Sequence, residues 1–572
     1  MSPAMRNGCR RVVSFGIGLL TLPGCHQPDS AAPVVAVEAT TSGDWFVEIA
    51  AASGLEFVHD RGATGRYYFP EIGGAGAALF DYDGDGDLDV YLVQGGALGP
   101  DRAAADRAGD RLFRNDLAAG VPRFVDVTAE AGIDARGYGV GAATADVDGD
   151  GDVDLYLTNF GRNQLLSNNG DGTFSDRTDE SGTGESRWSS SACFLDFDRD
   201  GRLDLYVANY TNFGFDNHKD CRSRTGNHDY CGPQSYEPEP DRLYRNLGDG
   251  RFADVSASSG IVSHYGAGLG VVSADFDGDA WPDLFVANDQ MANFLWMNRH
   301  DGTFDEQGLL SGTALGADGS MEASMGVDAG DIDNDGDEDL FMTHLRAQTN
   351  TVYVNEGTGW FSDASYKTGL GGPSLDFTGF GALLFDYDGD GWLDVLAVNG
   401  AVSALEALER IGDPFPYHQT NQLFHNAGAG VFEEVSAGAG IAFDLSEAGR
   451  GAAAGDLDND GDTDVVISNL SGPVRLLENR IGAAGGFAGL RWLAGAGGEA
   501  IGTRATVLRR DGLRLTRHVR TAASYASAND PRLSFGLGGT GGPVTFDVTT
   551  PARSRTRWTD VPAGAYLVGR GD

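Results

Sequence analysis

Nine residues, DYDGDGDLD at 81–89, constrain this chain more than any other feature, because five aspartates in nine positions repel one another unless something gathers their charge. The spacing Asp-x-Asp-x-Asp-Gly-x-x-Asp returns as DVDGDGDVD at 146, DFDRDGRLD at 196 and DFDGDAWPD at 275. It recurs again as DIDNDGDED at 331, DYDGDGWLD at 386 and DLDNDGDTD at 456. The seven copies start 50 to 79 residues apart, a period that points to a solenoid, a propeller or an array.

Aspartates at positions 1, 3, 5 and 9 of a tight loop can turn their oxygens onto one cation. A backbone carbonyl at position 7 and water would complete a shell of six or seven. Such a flexible all-oxygen shell suits Ca²⁺ better than Mg²⁺, which holds to strict octahedra and to its own water. The expected ligands are Asp81, Asp83, Asp85 and Asp89 in the first copy, and Asp146, Asp148, Asp150 and Asp154 in the second. They continue as Asp196, Asp198, Asp200 and Asp204; Asp275, Asp277, Asp279 and Asp283; and Asp331, Asp333, Asp335 and Asp339. Asp386, Asp388, Asp390 and Asp394, then Asp456, Asp458, Asp460 and Asp464, complete the set. Glycine at position 6 allows the positive φ of the turn. The apolar residue at position 2 (Tyr82, Val147, Phe197, Phe276, Ile332, Tyr387, Leu457) is expected to face the core.

Two copies depart from the pattern. Ala280 and Pro282 alter the fourth, and Arg199 and Arg202 lower the charge of the third. An EF-hand does not fit, for it needs flanking helices and a Glu at position 12. At the roughly 10⁻⁴ M affinity limit of extracellular modules, about 1 mM calcium would add about 1.4 kcal/mol per site, up to roughly 10 kcal/mol over seven. That magnitude implies a structural role, because it rivals the stability of a whole domain.

Each acidic stretch is preceded by a Gly/Ala-rich run such as GVGAATA or RGAAAG and followed by a β-branched run such as LYLTN or VVISN. A turn signal such as LLSNNGDGTFSD then follows. Four short strands per unit, seven times over, predict an all-β seven-bladed propeller over 44–480, its Gly and Ala lining the crowded axis. The seventh repeat lacks a fourth strand. DWFVEIAAASGL (44–55) matches the missing piece, so the N-terminal segment is expected to complete the last blade and close the ring. Residues 481–572 lack the repeat, hold 12 Arg and 6 acids, and place a hairpin at Asp511–Gly512, which predicts a small basic β-domain.

A formal net charge of −43 argues against nucleic acid as a partner. At the N-terminus, Arg6, Arg10 and Arg11 precede VVSFGIGLLTL and LPGC, a signal-like segment over 1–24 with Cys25 as the expected lipidated residue and 25–43 as a linker. The expectation is an exported monomer, held to the outer membrane or cell surface through that lipid alone, or else released to the periplasm or medium. Export permits a disulfide, and Cys221 with Cys231, bracketing a polar loop, is the expected pair, with a metal site there as the sharper alternative. Cys193 lies in an apolar run and reads as a buried thiol.

Thirteen residues after each loop begins stand Gln94, Asn159, Asn209, Asn288, His344, Asn399 and Asn469. They form either local backbone caps or a ligand-binding rim on the face opposite the cations. The long segments 95–111, 210–242 and 400–422 lie on that face, and YTNFGFDNH with Tyr230 and Tyr236 could stack on sugars or a peptide. No HExxH, GxSxG or phosphate-binding Gly loop is present. The chain therefore reads as a non-enzyme, the alternative being a carbohydrate-active lyase or hydrolase on the opposite face.

The acidic hairpins resemble the FG-GAP repeats of integrin α-chain propellers. The fuller pattern is similar to bacterial relatives of cartilage acidic protein, carried by NYTNF (209–213), YCGP (230–233), DRLYRNLGDGRFADVS (241–256), AIGTRATV (500–507) and LSFGLGG (533–539). TTPARSRTRW (549–558) departs from that family's usual Trp-Pro-small-Gly turn. The resemblance implies calcium binding, a C-terminal ASPIC/UnbV region and a surface or adhesive role toward a protein or glycan.

Overall fold

In a computed structural model, which describes residues 44–100, 107–495 and 497–571, every acidic repeat lies in its own antiparallel sheet. Blade 2 is representative: Gly139–Ala145, Asp154–Asn159, Gln164–Asn168 and Phe174–Asp176 pair in sequence order. The DVDGDGDVD loop joins its first two strands. The innermost strands meet in the cyclic order 77–80, 139–145, 189–195, 268–274, 327–330, 379–385, 449–455 and back to 77–80. This arrangement is a closed seven-sheet β-propeller.

Gly and Ala are required along that axis. A Cβ added to Gly326 would fall 1.9 Å from the carbonyl oxygen of Phe380 in the next blade. The seams between blades are apolar, and each position-2 side chain, from Tyr82 to Leu457, is buried in one. The ring closes as the sequence predicts: Phe46–Glu48 pairs antiparallel with Arg475–Asn479 as the fourth strand of blade 7. Phe46 anchors it, buried against Phe385, Tyr387 and Phe443.

A second tie crosses every seam. On the third strand of each blade an asparagine donates its backbone N–H to the position-9 aspartate of its own loop, at 2.7–2.8 Å. Its side-chain amide donates to the position-2 carbonyl of the preceding blade, at 2.7–2.9 Å. The residues are Asn115, Asn168, Asn246, Asn298, Asn355, Asn426 and Asn479, all buried. Asn115 reaches Leu457 in blade 7, so this belt also closes.

The C-terminal region forms two sheets, one of Arg504–Leu508, Arg514–His518, Val544–Thr549 and Arg555–Val561, the other of Phe487–Leu493, Leu533–Gly536 and Tyr566–Arg570. The hairpin at Asp511–Gly512 is present, with Gly512 at φ 93°. This region is not separate from the ring, because residues 519–532 run into the propeller axis. Ala528 pairs parallel with Ala78 of blade 1, and Ser524 exchanges backbone hydrogen bonds with Val327 of blade 5. Ala526 bonds Ala142 and Ser191 of blades 2 and 3, Ser524 bonds Ala382 of blade 6, and Asn529 bonds Ala454 of blade 7. A Cβ on Gly76 would fall 2.1 Å from the Ala526 oxygen, so glycine here admits the plug.

The other end of the axis is filled as well. Tyr68, Phe69, Trp188, Tyr210, Phe213, Tyr230 and Tyr236 form one buried cluster that reaches Tyr525 on the plug. The aromatic insertion therefore does not present a stacking surface: Phe213, Tyr230 and Tyr236 are core residues. Arg450 is fully buried among them, donating to the carbonyls of Ile72, Gly400 and Gly449 and lying 4.0 Å over Phe380. Cys221 and Cys231 form a disulfide across the Cys221–Arg222 and His228–Asp229 hairpin, which uses both sulfurs that a metal there would need, and Cys193 is a buried free thiol. The signal segment, the linker and Cys25 lie outside the described residues.

The belt has a measurable consequence. Asn355→Ala strips hydrogen bonds from the carbonyls of Phe276 and Glu338, and each polar group left buried and unpaired costs about 1–3 kcal/mol. A loss of about 2–4 kcal/mol is expected in denaturant unfolding, whereas Ala at exposed Asn169 should change stability by less than about 0.5 kcal/mol.

Candidate metal centres

The seven acidic loops share one internal geometry, built from carboxylates that accept backbone amides. The position-1 aspartate accepts the position-6 N–H at 2.8–3.2 Å in every copy. The position-5 aspartate accepts the position-7 N–H at 2.8–3.1 Å. The position-9 aspartate takes the position-2 N–H on one oxygen and the belt asparagine on the other. These bonds draw the chain into a coil with its carboxylates on the inside.

Position 6 has the positive φ expected of glycine, from 86° at Gly201 to 104° at Gly336. Ala280 adopts it too, at 69°, so the fourth loop keeps the shape despite its substitution. Position 4 is also left-handed in all seven copies, occupied by Gly84, Gly149, Arg199, Gly278, Asn334, Gly389 and Asn459. Sequence reasoning did not single out that second constraint.

One oxygen of Asp81, Asp148, Asp275 and Asp331 is sealed from solvent without a hydrogen-bond partner. A buried carboxylate oxygen left so is costly, and it fits a bound cation. Ligand-capable atoms lie within 4.8 Å of one another in Asp81/Asp83/Asp85, Asp146/Asp148/Asp154, Asp196/Asp198/Asp204 and Asp275/Asp277/Asp279. The donor set is hard oxygen, as calcium prefers. Burial, with neighbouring carboxylates adding to it, pushes Asp154 and Asp204 up to about 8 and Asp339 up to about 9. All three are held above the ordinary carboxylate range, and a cation entering the loop would favour their ionised form.

In places the protein supplies that charge itself. In the third loop Arg245 lies 2.6 Å from Asp198 and 3.2 Å from Asp200, and Arg202 also pairs with Asp200. Arg199 turns away, stacking 4.5 Å over Trp281. The arginines that lower the third loop's charge are thus Arg202 and the strand residue Arg245. The basic C-terminal region lies on the same face. Arg491 pairs with Asp81 at 3.2 Å, Tyr566 donates to Asp456 at 3.0 Å, and Arg517 and Arg504 donate to the carbonyls of Gly391 and Gly336. Burial would raise the Glu338 carboxyl, but Arg520 and His518 hold it well below the usual carboxylate range.

The residues expected to form a rim on the opposite face are all buried. Gln94 donates to Val58, Asn209 to Pro240, Asn288 to Ala292, Asn399 to Thr420 and Asn469 to Pro473, while Asn159 bonds Leu157. The His344 ring finds no hydrogen-bond partner and is driven by burial to about 3, hence neutral. The six carboxamides cap local backbone, the His344 ring is buried without capping anything, and the seven do not form an open binding ring.

A pH test follows from the raised carboxyls. A group whose folded pKa exceeds its unfolded value of about 3.9 contributes stability below that value and loses it as pH rises through the folded pKa. Chelated protein is therefore expected to melt at progressively lower temperature between pH 5 and 9, with excess calcium flattening the slope in differential scanning calorimetry. A chelated protein that melted higher at pH 9 than at pH 5 would contradict the geometry.

Comparison with known proteins gives a consistent assignment. A profile described as FG-GAP-like repeat matches residues 146–207, 226–286, 275–342, 331–397 and 414–501. One described as ASPIC and UnbV matches 495–569. Cartilage acidic protein 1 of Homo sapiens is 26% identical over 200 residues, 33% of this chain and 28% of that protein. Its Xenopus tropicalis counterpart is 29% identical over 171 residues, 29% and 26% respectively, so the match spans less than a third of these relatives. Among solved structures, the BP39L lectin from Burkholderia pseudomallei aligns with TM-score 0.41 and 12% identity, covering 72% of this chain and 97% of that one. An Agrocybe aegerita lectin, described as recognising non-reducing terminal N-acetylglucosamine, aligns with TM-score 0.37 and 17% identity over 72% and 92%. Neither low-scoring likeness bears on ligand or mechanism. With FG-GAP-like repeats matched over more than half its length, the chain belongs to the FG-GAP-like repeat family and ends in an ASPIC and UnbV region.

Proposed function

We propose that this protein is an exported, calcium-stabilised propeller that serves as a binding or adhesion module for a protein or glycan ligand, held at a membrane surface through a lipid on Cys25. The observation that carries the calcium reading is the set of solvent-sealed carboxylate oxygens without partners in loops of one geometry. Calcium would be held by the aspartates at positions 1, 3, 5 and 9, and its charge would favour the ionised form of the position-9 carboxyls that burial pushes up. The third loop, already paired with Arg202 and Arg245, would hold it least well.

What supports binding over catalysis is where the polar and aromatic groups lie. The axis is filled by residues 519–532 and the aromatic cluster, and the acidic face is covered in part by the C-terminal region. That docking also accounts for the charge asymmetry between the two regions without an external partner. The surface left for a ligand is the outer side of the long loops, where Ile411 and Phe415 are more than half exposed. Apolar side chains set among polar neighbours are common anchors of recognition.

The experiment is a glycan and surface-protein binding screen of the mature chain, run with calcium and with EDTA. A calcium-dependent ligand is expected, and replacing Ile411 and Phe415 by Asp should weaken it about tenfold. Turnover of a glycan by the purified protein would instead establish an enzyme.

A further inference from the structure

Beside each loop, on the third strand, the residue just before the belt asparagine changes from blade to blade: Arg114, Ser167, Arg245, Met297, Val354, His425 and Glu478. In blade 3 this residue is the arginine that enters the loop. In blade 6 it is His425, whose Nδ1 stands 3.4 Å from Asp388 Oδ2 and 3.3 Å from Asp394 Oδ1. Asp388, Asp390 and His425 bring ligand atoms within 4.8 Å of one another. The Nδ1 atom is sealed from solvent and makes no well-directed hydrogen bond. Its surroundings are fixed: Asp394 is fully buried and tied to the amides of Tyr387 and Asn426. The imidazole packs edge-on against Tyr387, which Trp45 stacks from outside at 5.7 Å.

Donor atoms bonded to one cation at about 2.0–2.4 Å sit about 3.0–3.5 Å apart, the separation found around Nδ1. Calcium takes oxygen donors, whereas imidazole suits first-row transition ions such as zinc, copper, iron and nickel; Mn²⁺, the weakest of the series at nitrogen, takes carboxylates readily and serves as the paramagnetic probe of the group. We propose that the loop at 386 is a mixed nitrogen–oxygen centre, completed by His425, that takes a divalent transition ion such as Mn²⁺ in preference to calcium. The inference rests on the reading of these loops as cation sites and adds a selectivity to one of them. The same does not extend to blade 4, where His300 pairs with Asp279 alone among the loop aspartates, is nearly half exposed and stacks on Trp281. The competing arrangement in blade 6 is a protonated His425 paired with the carboxylates in place of a metal.

The test uses the full mature chain, stripped with EDTA, reloaded with calcium in excess and then given Mn²⁺. Electron spin echo envelope modulation reads whether a nitrogen is bound to the manganese. The expected result is tightly held Mn²⁺ with the ¹⁴N coupling of a bound imidazole. In His425→Gln the coupling should vanish and Mn²⁺ affinity fall about tenfold or more, with calcium uptake elsewhere unchanged. Bound manganese without nitrogen coupling, manganese displaced by calcium as readily as from any other loop, or an unaltered signal in the variant would overturn the inference. The first two readings need only the wild-type chain. If the wild-type chain took up calcium but no manganese, the selectivity alone would fail; if it took up neither ion, the cation-site reading would fail with it.

Discussion

The structure depends on mutual repulsion that is contained and not avoided. Each loop crowds carboxylates into a coil of backbone hydrogen bonds and removes several of their oxygens from water. The position-9 aspartate then passes this arrangement outward, because the oxygen facing away from position 2 holds the belt asparagine. That asparagine in turn holds the carbonyl of the neighbouring blade's loop. Each loop is therefore tied to the next by hydrogen bonds, and the connection runs all the way around the ring.

The C-terminal region completes the same logic from a different direction. A propeller whose axis is lined by Gly and Ala leaves space along it, and here that space is filled by TAASYASAND, a run of mostly small residues around Tyr525, which reaches the aromatic cluster. The arginines of this region reach the acidic loops at their rims, several through backbone carbonyls, so they temper the charge without closing every loop. Arg491 on Asp81 is the closer case, where a protein cation and a metal ion would share a carboxylate.

Much of this was legible in the sequence because the repeat is strict. Fixed 1-3-5-9 spacing, the glycine at position 6 and the apolar position 2 each impose a local requirement, and the structure meets them. The missing fourth strand of blade 7 was legible for the same reason, since 44–55 matches its counterparts. The belt asparagines are not legible at a fixed spacing because loops of different length place them 22 residues after the first aspartate in blade 2 and 50 after it in blade 3. A constant offset instead picks out Gln94 and its equivalents, which lie at or just beyond strand ends, six of them capping backbone. The axial plug was hidden for a related reason, since a small-residue run without periodicity reads as a loop. The aromatic insertion misled in the opposite sense: Phe213, Tyr230 and Tyr236 have the composition of a binding surface but serve to seal the axis.

The central claim is that the acidic loops are cation sites whose occupancy holds the ring in shape. Titration calorimetry of the EDTA-stripped protein with calcium, followed by melting of the same samples, tests it most directly. The account predicts uptake of several calcium ions per chain and a marked rise in melting temperature on loading. Absence of heat on titration, together with identical melting curves in calcium and in EDTA, would contradict it.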